Sequence, residues 1–225
     1  MNNHKIDIPG KDDNRQYDYS QNQSQNRAEY DYIIQLVSSG SRVIDLGCGN
    51  GSLLKKLVEE KNVIAQGIEI SVSGVEACRN KGLDVLQTRI DEKLPFKDFE
   101  FDFSICNVTM QMVMYPEVLL KEMKRISRYQ IISFPNFAFY KNRIDLLFNG
   151  RMPRPMLFDY KWYNTGHIHQ FSISDFYELL NDVGGIKVEQ LLWAKTNNTI
   201  KDYLSRTFPD LFMAIPILFL SKKDA

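Results

Sequence analysis

Apolar positions along this chain change period several times, and each change marks an element. Positions 43–46 form a short apolar run interrupted only by Asp45, the pattern of a buried strand. After five residues rich in glycine, Leu53, Leu54, Leu57 and Val58 recur at helical spacing, which predicts a helix over 52–61. A second strand follows over 63–70. Ser73-x-x-Glu76 reads as a capping box for a helix carrying Val75, Ala77 and Cys78, with Gly82 at its left-handed end and a third strand over 83–88. Positions 101–106 alternate as a fourth strand. Pro116 suits the first turn of a helix whose Val118, Leu119, Met123 and Ile126 share a face, and 129–134 supplies a fifth strand. Ser172-x-x-Asp175 caps a further helix through Phe176, Leu179, Leu180 and Val183, closed by Gly184-Gly185. Two last strands are expected over 186–194 and 213–220, and a helix over 28–37 leads into the first.

Strands alternating with helices at this pace imply an α/β fold, a doubly wound and mostly parallel seven-stranded sheet flanked by helices. Ligands of such sheets sit beyond the carboxyl ends of the strands, here near the switch point between the first and fourth. The pattern breaks over 135–171, where three prolines and a dense set of aromatics suggest an insertion over the active-site face. Residues 1–26, dominated by Gln, Asn, Asp and Ser, cannot bury enough apolar surface to order themselves. They read as a flexible arm, either plainly disordered or closing over a ligand through Tyr17 and Tyr19. Residues 27–225 then form one domain.

Composition narrows the classes. The chain has 225 residues, 44% of them hydrophobic, with 28 basic and 28 acidic side chains, so no global field favours nucleic acid or an anionic membrane. Cys48, Cys78 and Cys106 are odd in number and lack a CxxC pair, which suits reduced thiols in a cytoplasm and implies no metal. The polar start of the chain lacks a signal-peptide core, and the apolar stretch near 208–220 is too short to span a bilayer. Within the insertion Lys141, Arg143, Arg151, Arg154 and Lys161 face Asp145 and Asp159, a basic excess that suits a carboxylate or phosphate ligand or an acidic partner surface.

The chemistry concentrates at the end of the first strand. Asp45-x-Gly47-Cys48-Gly49-Asn50-Gly51 places glycines at alternate positions, letting the main chain turn sharply and approach a nucleoside at a helix N-terminus. A dinucleotide GxGxxG would need glycine where Ser52 stands, which argues against a nicotinamide-binding domain. Glu69, near the end of the second strand, is placed to accept both hydroxyls of a ribose. The spacing resembles motif I of the class I S-adenosylmethionine (SAM) methyltransferases. That resemblance implies backbone contacts to the methionine portion from Gly47, Cys48, Gly49 and Gly51, with Asp45 bracing the loop and reaching the ammonium group and Asn50 adding an amide. It also implies Ile70 beside Glu69, and Ile90 with Asp91 at the adenine. The usual Gly-Asp-x-Asp is replaced by Thr88-Arg89-Ile90-Asp91, with Arg89 either at this site or facing solvent.

After the fourth strand, Cys106-Asn107-Val108-Thr109-Met110-Gln111 is not the Asn/Asp-Pro-Pro-Tyr motif of many amino-group methyltransferases; Asn107 is expected either to line the cleft or to cap the strand. His167 and His169 share a face of an extended segment, too few for a metal but able to supply a general base or a structural hydrogen bond. With Ile132-Ser133-Phe134-Pro135-Asn136-Phe137, Gly150-Arg151-Met152-Pro153 and Trp162-Tyr163-Asn164-Thr165 added, the chain resembles the methionine-biosynthesis MetW family. The resemblance implies a SAM-binding protein, with S-adenosylhomocysteine as product if methyl passes to a small acceptor. It also implies work alongside homoserine O-acyltransferase, in either a catalytic or a regulatory capacity.

Overall fold

A computed structural model of the chain describes Tyr19, residues 26–154, Trp162, residues 165–195 and residues 198–223. In chain order its elements are α1 (Tyr30–Leu36), β1 (Arg42–Leu46), α2 (Ser52–Lys61), β2 (Ile64–Glu69), α3 (Val72–Asn80), β3 (Asp84–Gln87), β4 (Phe101–Asn107), α4 (Pro116–Ile126) and β5 (Ser127–Ser133). They continue with α5 (Tyr140–Asn149), α6 (Ile173–Val183), β6 (Ile186–Trp193), α7 (Thr199–Thr207), α8 (Pro209–Phe212) and β7 (Pro216–Lys222). The seven strands form one sheet in the order β3-β2-β1-β4-β5-β7-β6, parallel except for β7, which runs antiparallel to β5 and β6. The order reverses between β1 and β4, as the sequence predicts.

Period-two alternation distributes the strands' side chains to two helical layers. Val43, Phe103, Ile105, Ile131 and Ile217 pack with Ile33, Leu53 and Leu57 of α1 and α2. Ile44, Leu46, Ile132 and Leu218 pack with Leu119, Met123, Phe176 and Leu180 of α4 and α6. Both faces of the central strands are covered, which is why 43–46 reads as a nearly continuous apolar run, while in β4 the buried polar Ser104 is satisfied by the Ser127 hydroxyl of β5.

Three local readings change. Ser71, not Ser73, caps α3: its Oγ accepts the Gly74 N–H, while Ser73 Oγ accepts the N–H of Tyr19. The cause lies outside the helix, because Glu69 takes the Ser71 N–H and so fixes where the helix begins. The expected strand over 213–220 starts later, since Pro209 opens α8 and extended pairing begins only at Pro216. The insertion contains a regular helix, α5, and α7 occupies a stretch the hydrophobic pattern left unassigned; Asn198, whose side chain accepts the N–H groups of Ile200 and Lys201, was its local signal.

A fully buried asparagine fastens the start of the insertion to α8 and the segment leading into β7. Asn136 Nδ2 donates to the carbonyls of Asp210 and Met213, both at 2.8 Å, its Oδ1 accepts the Ala138 N–H, and its own N–H donates to the Ala214 carbonyl. Asn136→Ala leaves the buried Met213 carbonyl and the half-buried Asp210 carbonyl without these donors, and urea unfolding is expected to show a loss of about 2–3 kcal/mol. A loss under about 0.5 kcal/mol would show that this bolt carries no stability.

Candidate functional site

The loop after β1 is the centre of the site. Gly47, Gly49 and Gly51 all have positive φ, at 81°, 57° and 73°. Gly51 illustrates why the residue type is fixed. A Cβ there would sit 2.6 Å from Leu83 Cδ1 and 2.7 Å from Cys78 Sγ, on a backbone that L residues rarely adopt. The loop's start is held down by Gly47 and Cys48 N–H groups, which both donate to the Ile68 carbonyl of β2. Its end delivers the chain into α2.

Glu69 joins this loop to the next helix. Its Oε2 accepts the Gly49 N–H at 2.8 Å and its Oε1 accepts the Ser71 N–H at 2.8 Å. Helix α3 comes so close that a Cβ on Gly74 would lie 2.8 Å from Glu69 Cγ and 2.9 Å from the Gly49 carbonyl. Each carboxylate oxygen keeps a further acceptor site. Burial raises the Glu69 carboxyl above its ordinary range, opposed by the N–H groups of Ser71 and Gly49.

Asp45, paired in register with Gly67 of β2 and Ile105 of β4, is only 2% exposed. Its Oδ1 is buried with no hydrogen-bond partner among the described residues. Burial first, and then the neighbouring Glu69 charge, push its carboxyl up to about 7. A buried carboxylate oxygen without a donor, beside a glycine loop, is a place a cation or ammonium group would satisfy.

The remaining expected residues divide into those at the loop and those engaged elsewhere. Asn50 is turned inward: its Oδ1 accepts the Ser52 N–H and hydroxyl, so it braces the start of α2. Cys48 lies under the loop, 3.8 Å from Cys78 sulfur to sulfur, and this contact together with burial pushes its thiol well up and keeps it neutral. Asp91 is held by Arg89 through both oxygens at 3.0 Å and also accepts the N–H groups of Met114 and Tyr115. Ile90 is half-buried against the core, and Ile70 is exposed. Asn107 Oδ1 accepts the Ser133 hydroxyl at 2.5 Å.

Val108, Thr109 and Gln111, which the sequence left without a role, stand near the loop and the expected His167, His169 and Tyr19. Thr109 rests on Gly47, with its hydroxyl hydrogen-bonded to the Asn107 carbonyl at 3.0 Å. Val108 holds φ 50°, a strained conformation for a β-branched residue, at the end of β4 where the sheet order reverses. Buried Gln111 accepts the N–H groups of both Ile168 and His169 on its carbonyl, which draws the 165–170 segment to the site. His167 is buried, with its Nε2 3.5 Å from Gln111 Nε2; His169 lines a half-open cavity of ≈ 120 Å³ with Met110, Pro116, Phe171, Phe176 and Leu179. Tyr19 lies on the loop, its hydroxyl 3.1 Å from where a Cβ of Gly49 would stand and its ring 3.1 Å from that of Gly74. Tyr17, Lys161 and Asp159 lie outside the described residues.

This geometry is that of the class I methyltransferase fold. The chain superposes on the Haloferax volcanii protein solved in complex with the Trm112 methyltransferase activator with a TM-score of 0.62, 17% identity and 88% and 90% of the two chains covered. On a SAM-dependent methyltransferase of Thermotoga maritima the TM-score is 0.60, with 20% identity and 88% of each chain covered. The sequence model of the family described as methionine biosynthesis protein MetW matches residues 27–220. The chain belongs to that family. It is 35% identical over 171 residues to the bifunctional methionine biosynthesis protein MetXA/MetW of Rhodopirellula baltica, covering 72% of this chain and 27% of that protein. It is 27% identical over 108 residues to the uncharacterized protein MJ1123 of Methanocaldococcus jannaschii, covering 48% of this chain and 49% of that one. It thus spans less than half the length of either relative.

Asp45 gives the site a pH signature. The folded protein holds the Asp45 proton up to about 7 and the unfolded chain only to its ordinary 3.8, so stability falls as pH rises between those values. The span is worth up to about 4 kcal/mol. Asp45→Asn is therefore expected to melt several degrees above wild type at pH 8, with the difference narrowing steadily as pH falls from 7 toward 4. An unchanged or lower melting temperature at pH 8 would contradict the assignment.

Proposed function

We propose that this chain binds SAM, or its demethylated product, on the 47–51 loop and acts in methionine biosynthesis as a SAM-responsive partner of a homoserine O-acyltransferase in the cytoplasm. The observation that carries the binding reading is the donorless Asp45 oxygen set beside Glu69 and the glycine loop. On this reading Asp45 takes the ligand's ammonium group. The main chain of Gly47, Cys48, Gly49 and Gly51 follows the methionine portion, and the spare acceptor sites of Glu69 take the ribose hydroxyls. Ile70 and Ile90 flank the adenine. Asp91 reaches the adenine amino group only if Arg89 releases Oδ1, and Asn107 offers its amide nitrogen, since Oδ1 is taken by Ser133. Asn50 contributes from behind, by fixing the loop.

The partner is supported by the Rhodopirellula relative, in which the similar region is joined to a segment named MetXA. A second reading, methyl transfer to a small acceptor, rests on His169, whose buried Nε2 has no partner among the described residues and which borders a cavity. There it would serve as the base for an in-line displacement.

Titration calorimetry with SAM separates wild type from Glu69→Ala. The loss of two ribose hydrogen bonds to a buried carboxylate is expected to weaken binding at least about 30-fold. Equal affinities would refute the ribose assignment. Formation of S-adenosylhomocysteine in the same cell on addition of a small carboxylic acid, abolished by His169→Ala, would favour the second reading.

A further inference from the structure

Helix α5 buries almost nothing. Asn142 is its one buried residue, while Ile144 is 50%, Leu147 74% and Phe148 77% exposed. These three lie at i, i+3 and i+4, and Tyr140 begins the same stripe one turn earlier. Tyr140 packs its ring on Phe212 of α8, with centroids 5.7 Å apart, so the apolar stripe starts on the body of the protein and runs off it. Helix α8 in turn follows directly on α7, where Ile200 and Tyr203 are 71% and 67% exposed, with Phe208 exposed between the two helices. Single exposed apolar residues need no explanation, but a helical stripe of them, with further exposed apolar residues on a helix joined to the same support, is the mark of an interface. The flanking residues are basic: Lys141, Arg143, Arg151 and Arg154 are exposed, and Asp145 is the acid among the described residues from 140 to 154.

We propose that α5, with α7 beside α8, is the face that docks on the homoserine O-acyltransferase subunit, the Ile144–Leu147–Phe148 stripe entering an apolar groove with an acidic rim. The inference rests on the partner reading above and adds the surface. Charge selects this occupant over a second copy of the chain. A two-fold contact about α5 would bring the arginines of each copy together, whereas an acidic rim would neutralise them. The Rhodopirellula protein supports the same choice, since joining two segments in one chain supplies a high effective concentration to a contact of this kind.

The test is size-exclusion chromatography with light scattering on the full chain mixed with purified homoserine O-acyltransferase from the same organism. Wild type is expected to co-elute, and the double variant Leu147→Glu/Phe148→Glu to lose affinity at least about 100-fold. Ile64→Glu, at an equally exposed apolar position at the start of β2, is expected to bind as wild type. A SAM titration checks that the double variant keeps its fold. Co-elution of the double variant at wild-type affinity would overturn the surface while leaving the partnership standing. A wild-type dimer that the double variant splits, with no binding to the acyltransferase, would make a second copy the occupant and overturn the proposal. Wild type that binds neither would remove the partner reading and this inference with it.

Discussion

The carboxylate of Glu69 is the contact on which the arrangement turns. One oxygen holds the Gly49 N–H and the other the Ser71 N–H, so a single side chain ties the loop after β1 to the first turn after β2. Burying a carboxylate is costly unless N–H groups point at it, and here two main-chain amides do. The glycines follow from that constraint. Gly49 must turn its amide toward β2, Gly51 must let α2 start against Cys78, and Gly74 must let α3 come within reach of the acid. The outcome is a sharp bend in the main chain at the carboxyl ends of the strands, with Tyr19 lying against it.

Asp45 is the complement of this satisfied acid. It lies between two strands, and nothing among the described residues donates to its Oδ1. Leaving a buried acid short of donors costs folding free energy, and a protein retains such a cost where a ligand removes it. The strained Val108 lies across the same switch point and belongs to the same pattern. Two carboxylates in neighbouring strands thus do different work. One holds the loop in shape, and the other has an oxygen with no donor among the described residues.

Much of this was legible in the sequence because it depends on local rules. Val43 to Leu46 is apolar because both sheet faces are covered, 101–106 shows its strand by alternation, and the glycine spacing follows from positive φ. The seven strands and the cap at Ser172 follow the same way. What escaped depends on distant contacts. Ser71 and Ser73 are equivalent as caps until Glu69 chooses between them. Asp91 suits a nucleoside contact by position, yet Arg89 and the main chain of Met114 and Tyr115 surround it. Helix α5 was hidden among prolines and aromatics because its apolar stripe faces outward, so no burial pattern from neighbouring elements reinforced it.

The fold separates two tasks. On the proposed reading the strand ends hold the small molecule, while α5 meets α8 through Tyr140 and Phe212, α7 runs into α8, and Asn136 ties the start of the insertion to the carbonyls of Asp210 and Met213. The central claim concerns the first of these, and a crystal structure of the chain grown with S-adenosylhomocysteine tests it most directly. The account expects the ligand along residues 47–51, its amino group within hydrogen-bond distance of Asp45 and its ribose hydroxyls on Glu69. A ligand seated elsewhere, or a loop that takes up a dinucleotide's pyrophosphate instead, would contradict it.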